Sequence, residues 1–162
     1  YQIYRSTAKD GDYQNIKTIN SVGTSSWTDG SVKTGKTYYY KIKTVVKTQN
    51  GEQTSGFSNV KSAKAVPAKT TLKAKASDAK NVKLTWSKVK GASGYEIYRS
   101  NSKDGKCSKV KTISKGSTTS YKNGKLKKST TYYYKIRAYR KVNGKKVYGS
   151  YSSVVSVKTK AK

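Results

Sequence analysis

The chain has 162 residues, of which 36 are Lys or Arg and 7 are Asp or Glu, and its formal net charge is +29 at pH 7. It contains no His, one Cys and one Pro. Without His, the base of Ser-His-Asp and Cys-His catalytic sites is absent, and a single Cys can build neither a zinc site nor an intrachain disulfide. We therefore predict a protein that is not an enzyme, with no catalytic residues, no cofactor and no metal.

Hydrophobic residues make up only 33% of the chain, but 15 Tyr and 2 Trp supply large apolar ring faces. A thin core that is rich in tyrosine can therefore form. No apolar run approaches the ~20 residues of a membrane-spanning helix, and no signal-peptide core opens the sequence, so we predict no membrane span. Met is absent, which indicates a processed or excised piece of a longer chain.

The sequence repeats itself with an offset of 94 residues. Tyr1-Gln2-Ile3-Tyr4-Arg5-Ser6 recurs as Tyr95-Glu96-Ile97-Tyr98-Arg99-Ser100, and Thr37-Tyr38-Tyr39-Tyr40-Lys41-Ile42 recurs as Thr131-Tyr132-Tyr133-Tyr134-Lys135-Ile136. These matches indicate a tandem duplication. We place the boundary at Pro67, because proline suits the start of an edge strand. The predicted modules are residues 1–64 and 67–160.

Polar and apolar residues alternate through both copies, which is the period of a half-buried strand. Residues 1–6 are expected to form a strand of the first copy. In the second copy we predict strands near residues 70–76, 80–86, 93–100, 106–113, 118–122, 130–141 and 147–158. Between such runs, Gly is expected to supply a positive φ in the turn pairs Asp10-Gly11, Asp29-Gly30, Asp104-Gly105, Asn123-Gly124 and Asn143-Gly144. Seven short strands without helical spacing predict an all-β fold, an antiparallel sandwich.

The second copy resembles the fibronectin type III domain, and in particular the tandem domains of surface or secreted proteins from Gram-positive bacteria. The resemblance is carried by Trp86, by Gly94-Tyr95-Glu96-Ile97-Tyr98, by Leu126 six residues before Tyr132, and by the alternation from Tyr132 to Ala138. It covers residues 67–160 fully and residues 1–64 in part. It implies two immunoglobulin-like sandwiches in tandem, the first of them incomplete at its N-terminus.

The same resemblance implies which side chains hold the core. Trp86 is expected to anchor it, and the hydroxyl of Tyr132 is expected to bond to nearby backbone in a "tyrosine corner". The full set of expected core anchors is Trp86, Tyr95, Ile97, Leu126, Tyr132, Tyr134, Ile136, Tyr38 and Tyr40. The family's Arg-Gly-Asp adhesion motif is absent, so integrin-type adhesion is not supported.

The first copy begins at its third strand and lacks the first two strands of the fold. We therefore expect an uncovered inner face formed by Tyr1, Ile3, Tyr38, Tyr40 and Ile42. Such burial is worth roughly 1.5–3 kcal/mol for each side chain, so the loss is large. Either the missing strands lie upstream in a longer protein, or another molecule supplies them by strand complementation.

Short motifs that resemble catalytic signatures are interpreted as turns. Gly30-Ser31-Val32-Lys33-Thr34-Gly35-Lys36-Thr37 matches the phosphate-loop pattern, but a strand and not a helix is predicted to follow it. Lys33-Thr34-Gly35, which resembles a motif of penicillin-recognising enzymes, falls in the same predicted turn. We interpret the seven acidic residues as solvated turn residues, and Cys107, which aligns with Tyr13, as a half-buried thiol.

Positive charge is concentrated in the second copy. Residues 1–66 hold 10 basic and 4 acidic side chains, whereas residues 67–162 hold 26 and 3. Small soluble domains usually carry a net charge of only about 2–8, and a larger excess destabilises the compact state unless counterions or a polyanion offset it. Of the 36 basic residues, 32 are Lys, a point charge that suits general polyanions better than base-specific readout.

We therefore predict association with an anionic cell-wall polymer or an acidic glycan, and non-specific binding of nucleic acid in vitro. The candidate residues for this polyanion binding are Lys125, Lys127, Lys128, Lys141, Lys145 and Lys146. The alternative is that the lysines reflect only a lineage's composition and solvated strand faces.

Outward-facing tyrosines suggest one further site. If Tyr132 and Tyr134 point inward, Tyr133 points outward, and Tyr98 and Tyr139 are expected to join it on one sheet face. Such a row either stabilises the sheet by cross-strand packing or stacks on sugar rings.

Together these features predict a non-catalytic spacer or adhesion module of a bacterial surface protein, which is extracellular, either secreted or attached to the cell surface. The alternatives are a carbohydrate-binding module that uses the exposed tyrosines, and a filament subunit completed by strand exchange with another copy.

Overall fold

A computed structural model describes all residues from 1 to 162. The chain divides into two compact units, Tyr1–Ala65 and Val66–Lys162, which are called unit 1 and unit 2 below. All regular structure is strand, and no helix is present that could cross a bilayer.

The strands of unit 1 are β1 (Gln2–Ser6), β2 (Gln14–Thr18), β3 (Thr37–Lys43), β4 (Val45–Thr48), β5 (Gly51–Thr54) and β6 (Lys61–Lys64). Those of unit 2 are β7 (Leu72–Ala76), β8 (Val82–Trp86), β9 (Gly94–Ser100), β10 (Ser108–Ile113), β11 (Ser120–Asn123), β12 (Thr131–Val142), β13 (Lys145–Tyr148) and β14 (Val155–Lys158).

Unit 2 is a sandwich of two antiparallel sheets. One sheet has the order β11-β8-β7, and the other has the order β10-β9-β12-β13, with β14 also paired to β12. Side chains alternate between the core and the outside along β8 and β12, as their polar and apolar residues predict. The two sheets bury Leu84 and Trp86 against Ile97, Tyr134 and Ile136.

The last predicted strand of unit 2 is wrong in one respect, because it is not continuous. It is divided into β13 and β14, and residues 149–154 between them are not strand. At the break, the backbone N–H of Ile136 donates to the side-chain Oγ of Ser152 at 3.1 Å instead of to a backbone carbonyl. A side-chain acceptor thus replaces one bond of the regular strand ladder.

Unit 1 has a single four-stranded sheet, β2-β1-β3-β6, and a separate hairpin of β4 and β5. Its inner face is partly uncovered, since Ile42 is 42% exposed and Trp27 is 38% exposed. The expectation that Tyr38 lies uncovered on this face is wrong, because its side chain is only 7% exposed. The guanidinium of Arg5 lies 5.1 Å from the centre of the Tyr38 ring and covers it.

The two units share local geometry at positions 94 residues apart. The backbone N–H of Lys33 donates to the Tyr38 hydroxyl at 3.0 Å, and that of Lys127 donates to the Tyr132 hydroxyl at 2.9 Å. Both units therefore contain the same tyrosine corner. The pairing of β1 with β2 and that of β9 with β10 also shift register at equivalent residues.

The turns differ from the sequence prediction. Of the five expected glycines, only Gly144 has a positive φ, at 77°, and it follows Asn143 at 48° in the β12–β13 hairpin. Gly105 and Gly124 instead lie close to other side chains, because a Cβ there would approach Ser100 Oγ or Asn81 Oδ1 within 3 Å. These two positions select Gly for space and not for backbone conformation.

Removal of the Tyr132 hydroxyl should destabilise unit 2. In Tyr132→Phe the partly buried N–H of Lys127 loses its acceptor, and we expect a loss of about 1–3 kcal/mol in the free energy of unfolding. Urea unfolding can be followed by the fluorescence of buried Trp86 in a Trp27→Phe background. The matched control is Tyr133→Phe, on the outward-facing neighbour. An equal loss in both variants would show that the corner does not support the fold.

Candidate functional site

A cluster of charged and aromatic side chains lies on the outer face of the larger sheet of unit 2. The antiparallel register places Glu96 opposite Arg137 and Tyr98 opposite Lys135, on strands β9 and β12. Their side chains point away from the core because they alternate with buried residues. We call the following residues the outer cluster: Glu96, Tyr98, Lys135, Arg137, Lys146, Tyr148 and Tyr151.

Glu96 is the centre of the outer cluster. It is only 1% exposed, although it lies on the outer face, because the surrounding side chains cover it. Four side chains donate hydrogen bonds to its carboxylate: Tyr98 at 2.8 Å, Arg137 at 2.9 Å, Lys146 at 3.0 Å and Tyr148 at 3.1 Å. Lys109 Nζ lies 3.6 Å away. A single carboxylate thus organises three cations and two phenols, and its burial is matched by partners.

The same cations cover the aromatic rings of the cluster. The guanidinium carbon of Arg137 lies 3.7 Å from the ring centre of Tyr148 and 4.9 Å from that of Tyr151. Lys135 Nζ lies 4.5 Å from the centre of Tyr151, and Tyr98 meets the Tyr151 ring edge-on at 5.2 Å. Cation–π attraction holds these groups in place. The ring faces are therefore occupied by the protein's own cations.

The electrostatics of the outer cluster favour the charged carboxylate. Burial alone would raise the pKa of Glu96, but the hydrogen bonds from its four donors outweigh burial and lower the pKa from 4.5 to about 2. Burial raises the pKa of Tyr98, and the hydrogen bonds of this hydroxyl raise it further. Near neutral pH the cluster therefore holds the buried Glu96 anion beside the protonated hydroxyls of Tyr98 and Tyr148, whose pKa is raised.

Unit 1 repeats the pair of rings formed by Tyr98 and Tyr151 but not the carboxylate of the cluster. Tyr4 meets Phe57 edge-on at 5.0 Å, as Tyr98 meets Tyr151 in unit 2. The position of Glu96 is occupied by Gln2, whose Oε1 accepts a hydrogen bond from the Tyr4 hydroxyl at 2.9 Å. The outer face of unit 1 therefore has no negative charge at this position.

A second polar group lies on the inner side of the sheet in unit 1. Asp29 accepts hydrogen bonds from Arg5 Nη1 at 2.6 Å, from the Tyr40 hydroxyl at 3.0 Å and from Ser31. Burial raises the pKa of Asp29, but these hydrogen bonds outweigh it and lower the pKa to about 2. In unit 2 the equivalent residue is the neutral Asn123.

The six candidate lysines for polyanion binding do not form one patch. Lys125, Lys127 and Lys128 are exposed in the loop before β12, whereas Lys141 and Lys145 are exposed at its other end. The strand between them has 12 residues and spans about 36 Å, from a rise of roughly 3.3 Å per residue. The two groups could contact one long polymer, but not one small ligand.

Lys146, the sixth candidate, is half-buried and bound to Glu96. That bond raises the pKa of Lys146 above its ordinary value. The charge of Lys146 is therefore paired within the protein and not free for a polyanion.

The expected row of sugar-stacking tyrosines is wrong for Tyr139, which is 1% exposed. Tyr139 faces outward on β12, but its ring lies over Gly94, where a side chain would clash with it. Tyr148 and the ammonium of Lys146 then cover it. Tyr98 is half-buried within the outer cluster, which leaves Tyr133, also half-buried, as the remaining member of the row.

The expected core anchors have the following placement. Most of them are buried: Trp86, Tyr95, Ile97, Leu126, Tyr132, Tyr134, Ile136 and Tyr38. Tyr40 is half-buried, because its hydroxyl reaches Asp29 at the open side of unit 1. The indole Nε1 of Trp86 is buried without a hydrogen-bond partner.

The interpretation of the acidic residues as solvated turn residues is wrong for three of the seven, of which Glu52 is exposed but lies in strand β5. Glu96 and Asp29 are not solvated turn residues but buried acceptors of several hydrogen bonds. A usable signal was present for Glu96, since it is the one acidic residue within the predicted strands of unit 2. An acidic residue at an outward-facing position of a central strand implies a cation opposite it on the neighbouring strand, and Arg137 occupies that position.

The pH dependence of unit 2 should reflect Glu96. Because its pKa is lower in the folded chain than its ordinary value of 4.5, the cluster stabilises the fold above pH 4.5, and this stabilisation is lost as the pH falls through about 2. The chain has only two Glu residues, so carboxyl-carbon NMR resolves each one. We expect a Glu96 midpoint near pH 2; a midpoint at or above 4.5 would contradict the described contacts.

No protein-family model and no curated protein matches the chain. Solved structures do match it. The FN1–FN3 domains of chicken CNTN1 are 20% identical with a TM-score of 0.51, over 98% of this chain and 55% of that chain, so this chain spans about half of its length.

Two single-domain structures are also similar. The 6th fibronectin type III domain of human fibronectin type III domain containing protein 3 is 18% identical with a TM-score of 0.51, over 62% of this chain and 92% of that one. An Fn3-like protein from Clostridium thermocellum is 28% identical with a TM-score of 0.47, over 59% and 92%. The predicted fold class is confirmed: the chain is all-β and has the fibronectin type III sandwich fold.

Proposed function

We propose that the chain is a non-catalytic spacer or adhesion module of an extracellular bacterial surface protein, and that its basic surface associates with anionic wall polymers or acidic glycans. The fold supports a structural module in general terms. The charge distribution carries the more specific part of the proposal.

The supporting observation is that almost all of the positive charge is unpaired. Only four of the 36 basic side chains lie within ion-pair distance of a carboxylate, namely Arg5, Lys109, Arg137 and Lys146. The remaining cations repel one another, most strongly in unit 2, which has 26 basic and 3 acidic residues after position 66. A bound polyanion would offset this repulsion.

The division between Arg and Lys indicates how such a partner is bound. Arg5, Arg99 and Arg137 each donate to a side chain of their own unit. The charges left for a partner are therefore almost all ammonium groups, which attract phosphate, sulfate or carboxylate without bidentate recognition. This arrangement favours a repetitive polyanion over a defined nucleic-acid sequence.

Retention on immobilised heparin and on poly(glycerol phosphate) should fall steeply with NaCl concentration. Replacing Lys125, Lys127 and Lys128 by Gln should lower the salt slope by about 2–3, since each lost contact removes roughly one released counterion. The matched control replaces exposed Lys73, Lys75 and Lys83 on the smaller sheet and should lower the slope by less than about 1. Equal retention of the unmodified chain at low and high salt would overturn the proposal.

A second candidate function is a subunit completed by the strands of another copy. It is favoured by the open inner face of unit 1, where Ile3, Trp27, Tyr40 and Ala63 line a cavity. In unit 2 the equivalent face is covered by β7 and β8, so strands of this kind would cover the open face of unit 1.

Sedimentation of the chain tests this second candidate. We expect oligomers that dissociate when a peptide of residues 69–88 is added, together with a blue shift of Trp27 fluorescence as its ring is covered. A peptide with Leu84 and Trp86 replaced by Ser is the control. A monomeric chain that does not bind the peptide would exclude strand completion.

A further inference from the structure

The internal duplication allows one outer face to be compared with the other. In unit 2, Glu96 neutralises Arg137, which lies next to the Tyr151 ring. In unit 1 the equivalent cation is Lys43 and the equivalent ring is Phe57, but the equivalent carboxylate is absent. Unit 1 therefore keeps two of the cations, Lys41 and Lys43, and the ring without the internal counterion, whereas the positions of Lys109 and Lys146 hold Asn15 and Glu52.

The cations of unit 1 are close together and unpaired. Lys41 Nζ lies 3.9 Å from the centre of the Phe57 ring, and Lys43 Nζ lies 4.1 Å from the same centre. The two nitrogens are thus no more than about 8 Å apart, which is about one Debye length at physiological salt. Lys41 also lies 4.1 Å from the ring centre of Tyr13. Both lysines are half-buried, and neither has a carboxylate within ion-pair distance.

The neighbouring polar groups also favour an anion. The Oε1 of Gln2 is occupied by the Tyr4 hydroxyl, so the amide nitrogen of Gln2 remains as a donor. The two ammonium groups of Lys41 and Lys43 add further donors on the same face. The site therefore offers hydrogen-bond donors and positive charge.

We propose that the outer face of unit 1 binds an acidic sugar residue, whose carboxylate or sulfate takes the role that Glu96 has in unit 2. This inference rests on the proposed function and locates one specific site within it. The anion pairs with Lys41 and Lys43, and the amide of Gln2 donates to it. The exposed edge of Phe57 packs against the apolar C–H side of the sugar ring.

A sugar acid fits this face better than a plain phosphate polymer. Phe57 is 43% exposed beside the two ammonium groups, so an occupant that carries both an apolar surface and a negative charge covers more of the site. A hexuronate has both features, whereas inorganic polyphosphate has only the charge. The ligand class is therefore an acidic polysaccharide, of which the site binds one sugar residue.

Titration calorimetry of the full chain with trigalacturonate tests this proposal. We expect Lys41→Gln with Lys43→Gln to weaken binding at least about tenfold, the equivalent of one charge-assisted hydrogen bond. The matched control is Lys33→Gln with Lys36→Gln, which removes the same charge from exposed loop positions of the same unit. It should weaken binding less than about threefold, through general attraction alone.

A third variant separates the site from general electrostatics. Gln2→Glu installs the carboxylate of unit 2, which should pair with Lys43 internally, compete with the ligand and weaken trigalacturonate binding more than the control does. Equal effects in all three variants, or equally tight binding of tripolyphosphate, would overturn the proposed site. The proposed function would still stand in that case if heparin retention remained salt-dependent. Loss of salt-dependent retention would instead remove the proposed function itself.

Discussion

The interior of unit 2 is built with tyrosine, and this choice constrains the rest of the structure. A buried tyrosine contributes a large apolar ring but requires a hydrogen-bond partner for its hydroxyl. Tyr132 accepts from the backbone N–H of Lys127, Tyr134 donates to Asn123, and Tyr95 accepts from the N–H of Val89. Each inward ring thereby fixes a loop or a neighbouring strand end. A chain with only 33% hydrophobic residues obtains a specific fold in this way.

The two copies distribute their buried charge differently. Unit 2 places its carboxylate on the outer face, as Glu96 with Arg137, and has neutral Asn123 on the inner side. Unit 1 has neutral Gln2 on the outer face and places its carboxylate on the inner side, as Asp29 with Arg5. Each unit thus contains one buried carboxylate paired with one arginine. The duplication preserved the number of such pairs but not their position, so the two outer faces differ in charge.

The fold could be predicted from the sequence because its signals are local and periodic. The alternation around Tyr132 and Trp86 and the repeat offset are sufficient for an all-β sandwich. The site could be predicted only in part. Burial of Tyr139 depends on Gly94 across the strand, and burial of Glu96 depends on Lys146 from a later hairpin. Such cross-strand contacts are set by register, which the pattern along one strand does not specify.

The interruption between β13 and β14 has a consequence for how such chains behave at high concentration. These two strands form one edge of the larger sheet, and an uninterrupted edge would offer a long row of free backbone groups to any passing strand. Here six residues without strand structure divide that row into two short pieces, and lysines occupy both pieces. Backbone pairing between neighbouring molecules is thereby discouraged at this edge of unit 2.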